Sequence, residues 1–378
     1  MDDGIKINRG LRGVYFERSS ISSIDGLKGE LNYRGYSIDE LAQYSTFEEV
    51  AYLLIYGELP NQKTLNNFES KLKNYRAIPE EIYKIIDSLK DGHPMDVLRT
   101  AVSALATLDK ESQKFSEDSF IENGIKLTSQ IPTIIASHNS IRNDKKPVNP
   151  NPDLSHAANW LWMLKGVKPT IEASRLADID FILHSEHGSN ASSFAARTTV
   201  GTNANFHAAI VTAISTLAGP SHGGAAEDVM KMLQEIGIPE NVKPYILEKR
   251  KNKEPITGFG HRVYRVEDPR AKHMKEGVKK VSLEMGEPKW FNILEEVVKE
   301  MQPFSRHGLN VNVDFYSGAL YKLHNIPNDL FVPIFAIGRV PGWTIQCIEQ
   351  LRNNILIRPL TLYNGPKTRK YIPISKRT

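Results

Sequence analysis

The feature that most constrains the fold is a helix-period spacing of apolar residues that recurs along nearly the whole chain. Ser37-Ile-Asp-Glu40 and Thr46-Phe-Glu-Glu49 have the spacing of capping boxes, which mark helix starts. The second opens an apolar segment that ends at Gly57. The same apolar spacing predicts further helices over residues 79–86, 94–108, 120–139, 169–184, 225–236, 289–301 and 343–351.

Strand signals are few. Gly13-Val-Tyr-Phe-Glu17 and Glu30-Leu-Asn-Tyr-Arg34 predict a small N-terminal β-hairpin. Three prolines between Asp144 and Asp153 predict a loop, because three prolines in ten residues disfavour a continuous helix. The sequence contains no internal repeat and no low-complexity segment. We therefore predict an all-α fold with a minor hairpin.

Composition limits the classes of function. The 378 residues suffice for a large core and for two domains, and a chain with 40% apolar and 24% charged residues is typical of globular proteins. The net charge of +4 is spread along the chain apart from Lys249-Arg-Lys-Asn-Lys253 and the tail Ser375-Lys-Arg-Thr378. A nucleic-acid partner would need a concentrated basic face, so none is predicted. A local basic cluster suits a small polyanion better.

Cysteine content and hydropathy indicate the compartment. Cys347 is the single cysteine, which excludes an intramolecular disulfide and a cysteine-based metal site. Its apolar neighbours predict a buried side chain. We expect no membrane-spanning run and find no signal-like apolar stretch near Met1, so the predicted location is cytoplasmic, with no membrane partner.

Three distant segments carry acid–base residues in glycine-rich or turn-like contexts. They are Gly219-Pro-Ser-His-Gly-Gly224, Gly258-Phe-Gly-His-Arg-Val-Tyr-Arg-Val-Glu-Asp-Pro-Arg270 and Asn312-Val-Asp-Phe-Tyr-Ser-Gly318. Glycines let a backbone approach a ligand closely, which favours a binding role for such loops. The candidate catalytic residues are therefore His222, His261 and Asp314.

Each residue also has a structural interpretation. Asp314 could be a general base that removes a proton from a substrate, or a cap of the helix suggested by Ser317-Gly-Ala-Leu-Tyr321. His222 precedes a predicted helix, whose N-terminal dipole disfavours protonation, so a neutral imidazole could donate a hydrogen bond to an oxygen that gains negative charge. It could equally be satisfied by backbone at a tight turn.

A fourth segment, His184-Ser-Glu-His-Gly-Ser-Asn190, places two histidines three residues apart. Such a pair could hold a metal, although no further ligand follows at local spacing. A metal hydrolase built on His184, His187, His222 and Asp314 is therefore an alternative, and a non-catalytic helical scaffold is another.

Together these motifs closely resemble the citrate synthase family. The resemblance runs from Asp25-Gly26 and Tyr33-Arg-Gly-Tyr36 to Ile357-Arg-Pro359. It implies a large helical domain of residues 1–222 and 326–378, for dimerisation and the oxaloacetate site. It also implies a small inserted helical domain of residues 223–325 that binds CoA. The homodimer that it implies shares its active sites between subunits and uses no metal or redox cofactor.

The resemblance assigns roles residue by residue. Asp314 is the base, His222 the enol stabiliser and His261 the group that polarises the oxaloacetate ketone. The positions implied to bind the dicarboxylate are His187, Asn190, Arg270, Phe335, Arg339 and, from the partner subunit, Arg358. Those implied to contact CoA are Gly258, Phe259, Gly260, Arg265 and Arg306. His184 is predicted to be structural.

Some positions depart from the family pattern. His307 stands where a lysine is usual, Ser221 where leucine is common, Gly338 where serine is frequent and Gln346 where histidine is frequent. No departure removes a catalytic group, so the expected reaction is condensation of acetyl-CoA with oxaloacetate to give citrate and CoA. A 2-methylcitrate synthase, which takes propionyl-CoA with the same residues, is the nearest alternative, because one methylene shifts discrimination by only ~1–3 kcal/mol.

Overall fold

The computed structural model describes residues 5–366 and 368–377 and confirms the all-α prediction. Within these residues the α-helices α1 to α16 are, in order, Ile38–Tyr44, Phe47–Tyr56, Gln62–Asn74, Glu80–Ser88, Pro94–Leu108, Glu117–Ile141, His156–Lys165, Ile171–His184, Ala191–Val200, Phe206–Leu217, Ala225–Ile236, Val242–Lys251, Ala271–Glu284, Lys289–Met301, Asp314–Leu323 and Phe331–Arg352. They enclose a large apolar core and a smaller apolar cluster between α2, α3 and α6.

The predicted hairpin is correct in one strand only. Strands β1 (Ser22–Asp25), β2 (Glu30–Tyr33) and β3 (Tyr36–Ser37) form an antiparallel sheet in that order. The segment Gly13–Glu17 is not a strand. The Asp25 carboxylate accepts the N–H groups of Leu27 and Lys28, both at 3.0 Å, so the turn forms immediately before β2. The residues just before that turn, rather than 13–17, therefore pair with β2.

Several helices begin and end where capping residues and apolar spacing in the sequence predict. The Thr46 side chain and Glu49 form a reciprocal capping box on α2, which ends at Gly57 with φ of 95°. The predicted bounds of α5, α11 and α14 agree with the structure. Residues 145–150 are irregular, as the prolines predict. Six helices were not predicted, namely α3, α7, α9, α10, α12 and α13.

Helix α16 is the centre of the larger group of helices. It packs against α2, α6, α8, α9 and α10. The stretch Asn328–Arg352 is long and apolar enough to cross a membrane, which corrects the expectation that no such run exists. Its apolar window is entirely buried inside the protein, so here it forms a core helix. Cys347 is buried on it, as predicted.

A second group of helices follows α10 in the chain. Helix α15 packs against α11 and α13, and α14 packs against α12 and α13. The glycine-rich segment 258–261 lies between α12 and α13, and Asp314 begins α15. The domain limits at 222/223 and 325/326 stay a prediction.

Close backbone packing fixes α16 beside the turn that leads to His187. A Cβ atom at Gly342 would lie 2.0 Å from the carbonyl oxygen of Ser185. Gly342→Ala must therefore displace backbone, and we expect it to lower the free energy of unfolding by about 1–3 kcal/mol. Urea denaturation measures the change. Gly219→Ala, where the nearest atom would be 3.4 Å away, is the control. Equal stability of the two variants would contradict this packing.

Candidate active site

A short backbone pairing joins two of the three motifs. The Gly260 N–H donates to the Asn310 carbonyl at 2.8 Å, and the Asn312 N–H donates to the Gly258 carbonyl at 3.0 Å. Gly258 has φ of 84°, and a Cβ there would lie 2.5 Å from the Phe315 ring. Only glycine fits that backbone and that space. The pairing holds the loop that carries His261 against the start of α15.

His261 is held as a neutral hydrogen-bond donor. Its Nδ1 accepts the N–H groups of Val263 at 3.0 Å and Tyr264 at 3.2 Å. With Nδ1 used as an acceptor, the ring proton lies on Nε2. Burial lowers the pKa of His261 to about 4, and the nearby Arg270 acts in the same direction. The imidazole is therefore neutral at pH 7.

His222 has the opposite tautomer. It lies in a turn in which a Cβ at Gly223 would be 2.5 Å from the Leu217 carbonyl oxygen. The Ser192 N–H donates to His222 Nε2 at 3.3 Å, and Ser192 Oγ lies 2.9 Å from the same nitrogen. With Nε2 as the acceptor, the proton lies on Nδ1. Burial, followed by the Arg339 charge, lowers the pKa of His222 to about 4. Desolvation thus lowers the pKa of His222 in the direction that was predicted for the helix dipole.

Asp314 is the first residue of α15, and the preceding N-cap, Val313, makes no side-chain cap. The interpretation of Asp314 as a helix cap is therefore wrong. No donor among the described residues is seen to hydrogen-bond to its carboxylate. Burial raises the pKa of Asp314; His184 and Arg270 oppose the rise. A carboxylate with few stabilising contacts is a stronger base than one in water.

Two buried guanidinium groups lie beside these residues. Arg270 forms a bidentate ion pair with Asp268, with N···O distances of 2.9 and 2.7 Å. The Arg339 Nε donates to the His184 carbonyl, and its guanidinium lies 4.7 Å from the Phe335 ring centroid. Arg339 Nη1 is buried with no partner among the described residues. A buried unpaired N–H of this kind is suited to an anionic ligand.

His187 completes the cluster of buried polar side chains. Its ring centroid lies 5.1 Å from that of His261, and its Nε2 lies 3.0 Å from the Tyr264 hydroxyl oxygen. Burial, then the Arg270 charge, lowers the pKa of His187 well below its ordinary value. Asn190 caps α9 through the Ser193 N–H, at 3.1 Å, and so supports the turn that carries His187.

The residues expected to contact CoA lie at the edge of this cluster. Phe259 packs edge-on against Phe315, with ring centroids 5.0 Å apart. Asn310 Nδ2 donates to the carbonyls of Arg265, at 3.0 Å, and Ser305, at 3.3 Å, which places the segments of Arg265 and Arg306 side by side. Both arginines are exposed.

Arg358 is not seen to hydrogen-bond or ion-pair with any of these residues in the described part of the chain. It is exposed on the extended chain that follows α16. The structure thus brings together His187, His222, His261, Asp314, Arg270, Phe335 and Arg339, and leaves Arg358 free for another contact.

Sequence reasoning missed four residues at this site. Ser192 fixes the His222 tautomer, Asp268 pairs with Arg270, and Tyr264 contacts His187. Glu186 is buried beside Arg339, and burial raises its pKa to about 7. Asp268 could have been found, since it is an acid two residues before Arg270. The other three depend on contacts between distant segments.

The metal alternative finds no geometric support. Among the described residues, no group of three or more His, Cys, Asp or Glu side chains is arranged to hold a metal ion. His184 instead directs Nδ1 to the Asp180 carbonyl at 2.8 Å.

Comparisons with known proteins agree with this fold. A family model described as citrate synthase, C-terminal domain, matches residues 10–360. Citrate synthase 2 of Bacillus subtilis is 43% identical, with 98% of this chain and 99% of the relative covered. 2-Methylcitrate synthase 1 of Corynebacterium glutamicum is 38% identical, with 99% of each covered.

Solved structures extend the comparison. The Thermoplasma acidophilum citrate synthase, in a ternary complex with carboxymethyl coenzyme A and oxaloacetate, superposes with a TM-score of 0.93. It is 30% identical, and 98% of this chain and 100% of that chain are covered. The fold and the site therefore define an enzyme of the acyltransferase class. The chain belongs to the citrate synthase family.

The neutral state of His222 predicts a pH dependence of stability. Its native pKa of about 4 lies below the ordinary 6.5, so between these values the unfolded chain binds a proton that the native protein does not. Because the unfolded chain gains this proton first, the free energy of unfolding falls as the pH falls through that window. His222→Gln should therefore reduce the slope of unfolding free energy against pH by about one proton, or ~1.4 kcal/mol per pH unit.

The slope is measured by urea denaturation at a series of values between about pH 4.5 and about pH 7, which covers most of this window. His307→Gln, at an exposed position, is the control for loss of an imidazole. An unchanged slope in His222→Gln would contradict the neutral buried state.

Proposed function

We propose that this chain condenses acetyl-CoA with oxaloacetate and hydrolyses the citryl thioester to release citrate and CoA. The supporting observation is the pair of neutral histidines with fixed, opposite tautomers, together with the backbone pairing that joins the His261 loop to the segment leading into Asp314. Condensation needs a base for a weak carbon acid and neutral donors for two carbonyl oxygens, and this set supplies them.

In the first step Asp314 removes a proton from the methyl group of acetyl-CoA. The electron pair of the broken C–H bond forms the carbon–carbon double bond of the enol, and charge develops on the thioester oxygen. The His222 Nδ1–H donates to that oxygen. A neutral donor suits this role, because it can hydrogen-bond to the developing charge without a buried imidazolium, which desolvation disfavours.

In the second step the enol carbon attacks the ketone carbon of oxaloacetate. The electron pair of the enol C=C bond forms the carbon–carbon bond and the thioester C=O bond re-forms, while the electron pair of the ketone C=O bond moves to its oxygen, where the His261 Nε2–H donates. That oxygen takes up one proton to become the citrate hydroxyl, which balances the proton that Asp314 removed and releases. Water then adds to the thioester carbonyl, the C–S bond breaks and CoA leaves as the thiol. We propose that neither a metal nor a redox cofactor takes part.

We propose that the buried arginines bind one substrate and that the exposed residues at the edge of the cluster bind the other. Arg270, Arg339 and His187 bind the oxaloacetate carboxylates, with Phe335 and Asn190 supporting them. Gly258, Phe259 and Gly260 with Arg265 and Arg306 bind CoA. The Thermoplasma relative, whose complex contains oxaloacetate and a CoA derivative, supports the proposal that this chain binds ligands of these two kinds. Residues 223–325 would form a small domain that closes over these substrates.

We further propose a cytoplasmic homodimer with shared sites. The extended chain after α16 exposes apolar side chains, including Ile355 at 66% and Leu360 at 87%. Apolar exposure of this extent is typical of a surface that a partner covers. Arg358 lies in the same stretch and would reach the active site of the partner subunit.

Oxaloacetate-dependent release of CoA thiol tests the function, with acetyl-CoA and propionyl-CoA compared by kcat/KM. Preference for acetyl-CoA supports the proposal. Preference for propionyl-CoA supports the second candidate, 2-methylcitrate synthase, which the Corynebacterium relative favours. No thiol release with either substrate would refute condensation.

Asp314→Asn tests the base. The amide keeps the size of the side chain but cannot accept the methyl proton, so kcat should fall by at least ~10²-fold. Oxaloacetate affinity, measured by calorimetry, should change little because Arg270 and Arg339 remain. Turnover close to that of the wild type would remove Asp314 from the role of base.

Arg358→Ala tests the shared site by complementation. Each single variant, Arg358→Ala or Asp314→Asn, should be nearly inactive. In a mixed dimer of the two, one site combines the intact Asp314 of one subunit with the intact Arg358 of the other. Equal co-expression should therefore restore about a quarter of wild-type activity, since half of the dimers are mixed and each has one intact site. No restoration would place Arg358 outside the partner's site.

A further inference from the structure

Tyr264 contacts two of the substrate-site histidines, although the proposed mechanism gives it no role. Its side chain is fully buried. The hydroxyl oxygen lies 3.0 Å from His187 Nε2. Its ring lies against the ring of His261, with centroids 4.7 Å apart and planes inclined by 37°. One side chain therefore bridges the segment that ends α8 and the loop that precedes α13.

The backbone around Tyr264 is fixed from two sides. The Tyr264 N–H donates to His261 Nδ1, and the next residue, Arg265, donates its N–H to the Gly26 carbonyl at 2.8 Å. A Cβ at Gly26 would lie 2.4 Å from the Val263 carbonyl oxygen, so the β1–β2 turn is pressed against this loop. The phenol cannot shift without moving His261 or the turn.

The positions of the hydrogens between Tyr264 and His187 follow from the protonation states of the two side chains. Burial raises the pKa of Tyr264, so the phenol keeps its hydrogen. His187 Nε2 is the one hydrogen-bond partner seen for this hydroxyl among the described residues, so the buried phenol donates its hydrogen to Nε2. Nδ1 therefore carries the proton of the neutral ring, and Nε2 is free to accept the Tyr264 hydroxyl hydrogen.

We propose that Tyr264 is a positioning residue that orients His187 and keeps the proton of that ring on Nδ1, while its ring supports His261. This inference rests on the proposed function, in which His187 binds oxaloacetate. A histidine held in one orientation and one tautomer loses less freedom when the substrate binds. Removal of the hydroxyl should therefore weaken oxaloacetate binding more than it slows chemistry.

Tyr264→Phe removes the hydroxyl and keeps the ring that packs on His261. We expect the KM for oxaloacetate to rise about tenfold, the effect of losing one buried hydrogen bond. We expect kcat and the KM for acetyl-CoA to change by less than about threefold, because no group in contact with the thioester is altered. Equal kinetics in the variant and the wild type would overturn the proposal.

Tyr316→Phe is the matched control. Tyr316 is also buried and lies in α15, but its hydroxyl points to Glu295 of α14, at 3.4 Å. It should leave the KM for oxaloacetate unchanged. An equal rise in both variants would show a general effect of lost phenol hydrogen bonds and would overturn a specific role for Tyr264.

Nitrogen NMR of ¹⁵N-histidine-labelled protein reads the tautomer without any turnover. The His187 signals, identified by their loss in His187→Gln, should show protonated Nδ1 and unprotonated Nε2 in the wild type. In Tyr264→Phe they should shift towards a mixture of tautomers. Unchanged His187 signals would overturn the positioning role.

This readout separates the two proposals. A wild-type protein that releases no CoA thiol refutes the proposed function, and the NMR result still decides whether Tyr264 fixes His187. An active wild type with unchanged Tyr264→Phe kinetics and signals refutes only the role of Tyr264.

Discussion

The backbone pairing between residues 258–260 and 310–312 is the constraint on which the site depends. Its two hydrogen bonds join the loop of His261 to the first turn of α15, where Asp314 lies. Gly258 permits the pairing, because its positive φ and the nearby Phe315 ring exclude a side chain. The loop then continues into residues 263–265, whose N–H groups fix His261 and contact the β1–β2 turn. One local backbone arrangement therefore positions Asp314 and His261 together.

Exclusion of water gives these residues their chemistry. Burial lowers the pKa of both His222 and His261 to about 4 and raises the pKa of Asp314. The imidazoles are thus neutral donors, while the carboxylate gains basicity. Under the proposed function, two buried arginines would offset the desolvation of an anionic substrate. Arg270 is paired with Asp268, whereas Arg339 retains a buried N–H with no partner among the described residues. Neutral donors near fixed positive charge are suited to a reaction in which negative charge forms on oxygen.

Sequence alone predicts those parts of the fold that local patterns determine. The bounds of α5, α11 and α14 follow from an apolar stripe with clear ends. Helix α3 was not predicted, because only Phe68 and Leu72 of its residues are buried and its apolar stripe is short. The prediction of a strand at residues 13–17 was wrong, because the turn at Asp25, and not strand propensity, determines which segment pairs with β2. The site residues were identified through resemblance. The Tyr264–His187 contact joins residues 77 positions apart, so no local pattern could reveal it.

The central claim is that this site forms a carbon–carbon bond through an enol of acetyl-CoA. The most direct test is the mass of the product made from trideuteromethyl acetyl-CoA and oxaloacetate. Removal of one methyl deuteron by the base before attack predicts citrate that retains two deuterium atoms. Absence of citrate, or a product that retains all three deuterium atoms, would contradict the account.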